Sequence, residues 1–119
     1  MQRLKYEKFR NSNEIITIDL HNDYTVVAVS TWDNESKAYI TTLFLKENTI
    51  DQLDLIEKAE NLKFHANQNT INSAILKQVS IFLEEGFFDY YINRYKSYQA
   101  CIDAYIDSIE ENMVKINAS

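Results

Sequence analysis

Two carboxylates and an imidazole alternate at Asp19, His21 and Asp23. In an extended backbone, residues two apart point to the same side, so this spacing offers a mixed oxygen and nitrogen ligand set to a divalent cation. The same residues also suit a hairpin turn, because Asn and Asp side chains bond to nearby backbone N–H groups. The only other histidine is His65, so the turn is the leading reading and the metal triad the alternative. His65 has no nucleophile or orienting carboxylate beside it in the chain and reads as a loop histidine. Cys101 is the sole cysteine, which precludes an internal disulfide and a Cys-based metal site. A helix interior with Asp103 close by does not lower a thiol pKa, so Cys101 reads as a small core residue at the edge of an apolar face.

The rest of the composition removes whole classes of chemistry. One glycine and no proline occur in 119 residues. Phosphate-cradling loops, the dinucleotide fingerprint and the G-x-S-x-G nucleophile elbow all need several glycines, and Gly86 alone cannot supply them. Sharp turns fall instead to Asn, Asp and Ser. A net charge of −6 disfavours direct binding to nucleic acid or to an anionic membrane and favours a basic partner. The exception is the start of the chain, where Arg3, Lys5, Lys8 and Arg10 outweigh Glu7. No apolar run approaches the roughly 20 residues of a membrane span, and no apolar segment follows the charged start as in a secretory signal. The chain therefore reads as a cytoplasmic protein, and no metal or other cofactor is expected.

The elements that must position these residues are written in two periods. Leu4 and Tyr6 alternate with charged residues before Asn11-Ser12-Asn13, and Ile16, Ile18 and Leu20 alternate with Thr17 and Asp19. Segments 24–31 and 38–45 are rich in Val, Thr, Tyr, Ile and Phe, each following polar turn residues. These patterns predict a four-stranded antiparallel meander over about residues 3–46, with apolar residues on both faces. Thr49-Ile50-Asp51-Gln52 then matches a capping box and predicts a helix over 50–61, with Leu53, Ile56 and Ala59 toward the sheet. Leu62-Lys63-Phe64 reads as a brief extended piece. A second helix over 70–85 carries Ile71, Ile75, Val79 and Phe82 on one stripe, is capped by Asn69 or Thr70 and is closed by Gly86. The last helix, 87–113, repeats Phe88, Tyr91, Tyr95, Tyr98, Ile102, Tyr105 and Ile109 at alternating spacings of three and four. The whole is a single α+β domain: an antiparallel meander followed by three helices, the last one long.

Two surface features stand out on this framework. Asp103, Asp107, Glu110 and Glu111 fall on one face of the last helix, with no Lys or Arg from 97 to 114. Like charges so spaced cost about 0.2 to 0.5 kcal/mol per pair, so the row is either a solvating face or a surface for a basic partner. Asp51, Asp54 and Glu57 form a second acidic group. The tyrosines read as core or rim packing, with base stacking as their alternative. A helix from Phe87 to Met113 would be on the order of 40 Å long, against roughly 35 Å for a compact domain of this size. An overhanging end would bare Tyr105, Ile109 and Met113, and the simplest cover is the same helix of a second chain.

In size, acidity, a composition low in Gly, Pro and Arg and rich in Ile, Asn, Lys and Tyr that suggests an AT-rich genome, and meander-then-helices layout, the whole chain resembles small accessory proteins of phages and conjugative elements in low-GC bacteria, anti-CRISPR proteins among them. The resemblance rests on general character, and no motif or residue role is carried over with it. The reading it supports is a non-enzymatic module that binds a protein partner, such as a nucleic-acid-handling enzyme, through acidic and tyrosine-rich surface. The alternatives are a small metal-dependent enzyme or module using Asp19, His21 and Asp23, and a single-strand binder using the basic start or the tyrosine helix.

Overall fold

The computed structural model describes residues 3–6 and 15–118, with side chains at all of these except 3, 4, 98, 102 and 111–118. The turn expected at Asn11-Ser12-Asn13, and Lys8 and Arg10 of the basic start, lie outside the described residues. Two compact units are present, Met1–Phe87 and Phe88–Ser119.

The first unit is built on an antiparallel sheet of β1 (Arg3–Leu4), β2 (Ile15–Asp19), β3 (Tyr24–Asp33), β4 (Ala38–Glu47), β5 (Leu53–Leu55) and β6 (Leu62–Phe64). The order is β1-β5-β4-β3-β2, with β6 also paired to β4. The alternating segments do form the successive hairpins β2–β3 and β3–β4, with Val26 opposite Leu45 and Val27 opposite Phe44. Both faces of these strands are buried. Val26, Ala28, Leu43 and Leu45 share one face at 2% exposure or less. Val27, Phe44 and Leu53 cluster on the other, flanked by Tyr6, Val29 and Leu55. Lys46 places its Nζ 5.5 Å from the centre of the Tyr6 ring.

Two expectations for the sheet are corrected. The first strand does not pair with β2; Arg3 and Leu4 lie opposite Asp54 and Leu53, at the other edge. Sequential strands are neighbours only as a tendency, and here the far edge is the one that takes the amino-terminal strand. The helix expected over 50–61 is a strand followed by a 3-10 turn, Glu57–Ala59. Thr49 caps nothing; Ile50 donates its N–H to the Glu47 carbonyl in a turn. A lone helix of three turns is marginal by itself, whereas the open edge of β4 satisfies backbone groups directly. Leu53, Asp54 and Leu55 also alternate with period two, and that pattern wins once a sheet edge is available.

Segment 53–64 runs along β4 as one interrupted strand, its β5 part enclosed between β4 and β1. Phe44 faces Leu55, whereas Thr41, three residues earlier, faces Leu62, seven residues later, so four residues are looped out. The excursion carries Ile56 and Ala59 into the core at 1% and 0% exposure. It is pinned at Asn61, whose N–H donates to Thr42 Oγ1 at 3.2 Å and whose φ is 55°. Left-handed residues recur at His21, Asp23 and Lys37, the consequence of turning a chain that has almost no glycine.

Helix α1 (Ile71–Glu84) buries Ile71, Ile75 and Val79 of the predicted stripe, while Phe82 is half-buried. Thr70 occupies the N-cap without a side-chain cap bond. The turn before it is organised by Asn67, whose Oδ1 accepts from the N–H groups of Asn69 and Thr70. At the other end Gly86 has φ 69° and donates to the Leu83 carbonyl, the left-handed termination that glycine favours. Phe82 and Phe87 stack across this turn with centroids 4.2 Å apart. Helix α2 (Phe87–Ala118) has 32 residues, about 48 Å at 1.5 Å per residue. Along it Phe88, Tyr91, Ile92 and Tyr95 are buried, while Tyr90, Tyr105, Ile106 and Ile109 are exposed.

Candidate functional site

The Asp19, His21 and Asp23 group is consumed by its own turn. Asp19 closes β2 opposite Thr25, and its Oδ1 accepts the His21 backbone N–H at 2.8 Å. The other oxygen is 3.8 Å from His21 Nδ1, with both side chains largely exposed, a geometry that contributes little in water. His21 and Asp23 both take left-handed backbone, φ 60° and 72°, as the return into β3 requires. Among the described residues no three His, Cys, Asp or Glu side chains come together as a metal site. The alternation that would align these three belongs to a continuous strand, and the strand ends at Asp19.

On α2 the acidic row is displayed. Asp103, Asp107 and Glu110 are exposed, and Asp103 accepts from Gln99 Nε2 at 3.2 Å. The side chains of Glu111 and Met113 lie outside the described residues. Beside the row, Tyr105, Ile106 and Ile109 are 68%, 45% and 41% exposed. At about 100° per residue the centres of the acidic row and the apolar stripe are about 120° apart on the helix, so they form adjacent strips. Cys101 is exposed, which corrects its reading as a core residue; one position from Ile102 is about 100° around the helix, enough to leave the apolar face. Tyr91 and Tyr95 are buried and so cannot offer their faces to a stack of bases. Tyr98 lies outside the described side chains.

The second acidic group does not form one surface. Asp51 and Glu57 are exposed, but Asp54 is 4% exposed. The helical reading put all three along one element; the strand turns Asp54 to the face opposite Leu53 and Leu55, across from Leu45 and Arg3 in register. His65 is an exposed loop residue.

Two titrations are displaced by the sheet. Burial, reinforced by Glu47 and Asp23, raises the Tyr24 pKa above its ordinary value. The Ser36 hydroxyl, with the backbone N–H groups of Glu35 and Ser36, lowers that of Asp33 at the β3–β4 turn.

One feature has no counterpart in the sequence reading. An open cavity of about 260 Å³ is lined by Ser30, Trp32, Tyr39, Gln68, Ile71 and Asn72, with Ile16. The signal available for it was the chain's sole tryptophan at the end of a strand, but the partners come from β4 and α1, remote in sequence. Among the described residues no helix is long and apolar enough to cross a membrane. No protein family, curated protein or solved structure matches the chain.

Proposed function

We propose that the protein is a non-enzymatic interaction module whose α2 surface binds a basic protein partner. The observation that carries this reading is the exposure of Tyr105, Ile106 and Ile109 beside Asp103, Asp107 and Glu110. Apolar residues bared next to one sign of charge suit a partner with a basic rim around an apolar groove. The net charge of −6 adds long-range attraction to such a surface. Basic grooves of this kind hold nucleic acid in the enzymes that process it, so an acidic module seated there acts as an inhibitor, in the manner of the anti-CRISPR proteins that the chain resembles. A second copy of this chain is the competing occupant of the same apolar strip, but it would bring like charges into the same contact.

The test uses a cationic amphipathic helical peptide of alternating Leu and Lys blocks as probe. Two exposed ion pairs at roughly 0.2 to 1 kcal/mol each predict about a tenfold loss of affinity for Asp103→Lys combined with Asp107→Lys, and a loss with added salt. Affinity unchanged by both perturbations would return the row to plain solvation. Light scattering on the wild type and on Ile109→Glu, without the probe, completes the test: a dimer that the substitution splits without unfolding would assign the strip to self-association.

A further inference from the structure

We infer that the cavity at the Trp32 and Tyr39 end of the sheet is a binding site for a small uncharged planar heterocycle of the nucleobase type. None of the described residues that line it belongs to α2, so this inference stands apart from the interaction surface.

The argument begins with register. Ser30 and Trp32 alternate on β3 and lie opposite Thr41 and Tyr39 of β4, which sets both aromatic rings and the Ser30 hydroxyl on one face. Trp32 meets Tyr39 edge to face, with centroids 5.0 Å apart and planes at 68°, an arrangement that orients the indole. Trp32 is nonetheless 44% exposed. An oriented aromatic ring with open area beside a cavity is a platform for a second ring.

The polar lining specifies what that ring must carry. Gln68 and Asn72 are both exposed residues that line the cavity. Each amide sets a carbonyl acceptor beside an NH₂ donor, the pair that matches adjacent acceptor and donor atoms on the edge of a base such as adenine. Ser30 is 7% exposed and shares one hydrogen bond with Thr41, Oγ to Oγ1 at 2.7 Å. A hydroxyl has one donor and two acceptor positions, so Ser30 retains bonding capacity. Among the described residues none that lines the cavity is charged, so no ionic partner for a phosphate or a carboxylate stands among them. The volume, about 260 Å³, lies just under the usual range of about 300 to 1,000 Å³ for small-molecule sites, which suits a base with at most its sugar and not an extended ligand.

Adenosine is the probe, and the single indole N–H signal in a proton–nitrogen NMR spectrum is the readout, because Trp32 is the only tryptophan. Saturable movement of this signal is expected, with a Kd on the order of 100 μM from the efficiency typical of a ligand this size. Asn72→Ala should weaken binding about tenfold, the scale of one lost amide contact. Gln68→Ala, in the turn before α1, gives an independent reading if the first variant disturbs the helix. Adenosine monophosphate should bind no more tightly than adenosine. The inference is overturned if the indole signal does not move at millimolar adenosine, if both amide variants bind as the wild type does, if the phosphate tightens binding, or if methyl glucoside moves the signal at equal concentration.

Discussion

Leu53 decides whether segment 50–61 is a strand or a helix, through a comparison with its neighbour Leu55. Leu53 is 0% exposed and clusters with Val27 and Phe44, and Leu55 packs half-buried against the same cluster. Leu53→Ala removes buried carbons and leaves a cavity that rigid β-strands close poorly, so the expected cost is about 3 kcal/mol. An unfolding entropy of ~2.1 cal/mol/K per residue converts this to a lower Tm by about 12 °C if all 119 residues unfold together, or about 16 °C if the first unit, Met1–Phe87, unfolds alone. Leu55→Asp separates the two structures. In the strand it sets a carboxylate against Val27 and Phe44 at about 2 kcal/mol. On a helix whose buried stripe is Leu53, Ile56 and Ala59, position 55 points away, and the change would stay within about 0.5 kcal/mol. Thermal unfolding followed by circular dichroism measures both variants. A neutral Leu55→Asp, or a Leu53→Ala that costs under about 1 kcal/mol, would refute the strand assignment.

Gly86→Ala should destabilise by about 1 kcal/mol, because Ala must adopt the left-handed backbone that ends α1, φ 69°; denaturant unfolding checks it, and an unchanged midpoint would contradict the termination. Cys101 should react with an aromatic disulfide reagent in the native protein as fast as in the unfolded one, since it is exposed, and Cys101→Ser should shift stability by no more than about 0.5 kcal/mol. Asp33 has a lowered pKa, led by the Ser36 hydrogen bond, so the folded state binds its proton less tightly than the unfolded chain. Its contribution is therefore present above the ordinary Asp value of about 3.9 and lost as pH falls through the lower folded value. The difference in Tm between wild type and Asp33→Asn should hold from neutral pH down to about 5 and shrink below about 4; a difference that grows with acid would oppose it.

Wherever local period and burial agree, the elements were legible. Val26 to Val29 and Leu43 to Leu45 place apolar residues at successive positions, and both faces of β3 and β4 are indeed buried. The stripes of α1 and α2 follow a 3.6-residue period, and Gly86 marks the break between them because only there does a glycine stand to take a positive φ cheaply. The exposed part of the candidate surface was legible for the same reason: Asp103, Asp107 and Glu110 share a helix face whatever lies around them.

What sequence order could not reveal depends on partners remote along the chain. Leu53-Asp54-Leu55 and the capping box before it satisfy two local periods at once, and the open edge of β4 chooses the strand. That choice buries Asp54 and dissolves the second acidic group. Arg3 and Leu4 skip their neighbour in sequence to pair with β5. The Trp32 cavity needs β3, β4 and the start of α1 together, residues that no spacing rule connects. Period and composition act between residues a turn or a pleat apart, so they determined the strands β2 to β4, the two long helices and the acidic row. Edge pairing, the burial of one carboxylate and the closure of a cavity are set by contacts between distant segments, and those only the tertiary structure decided.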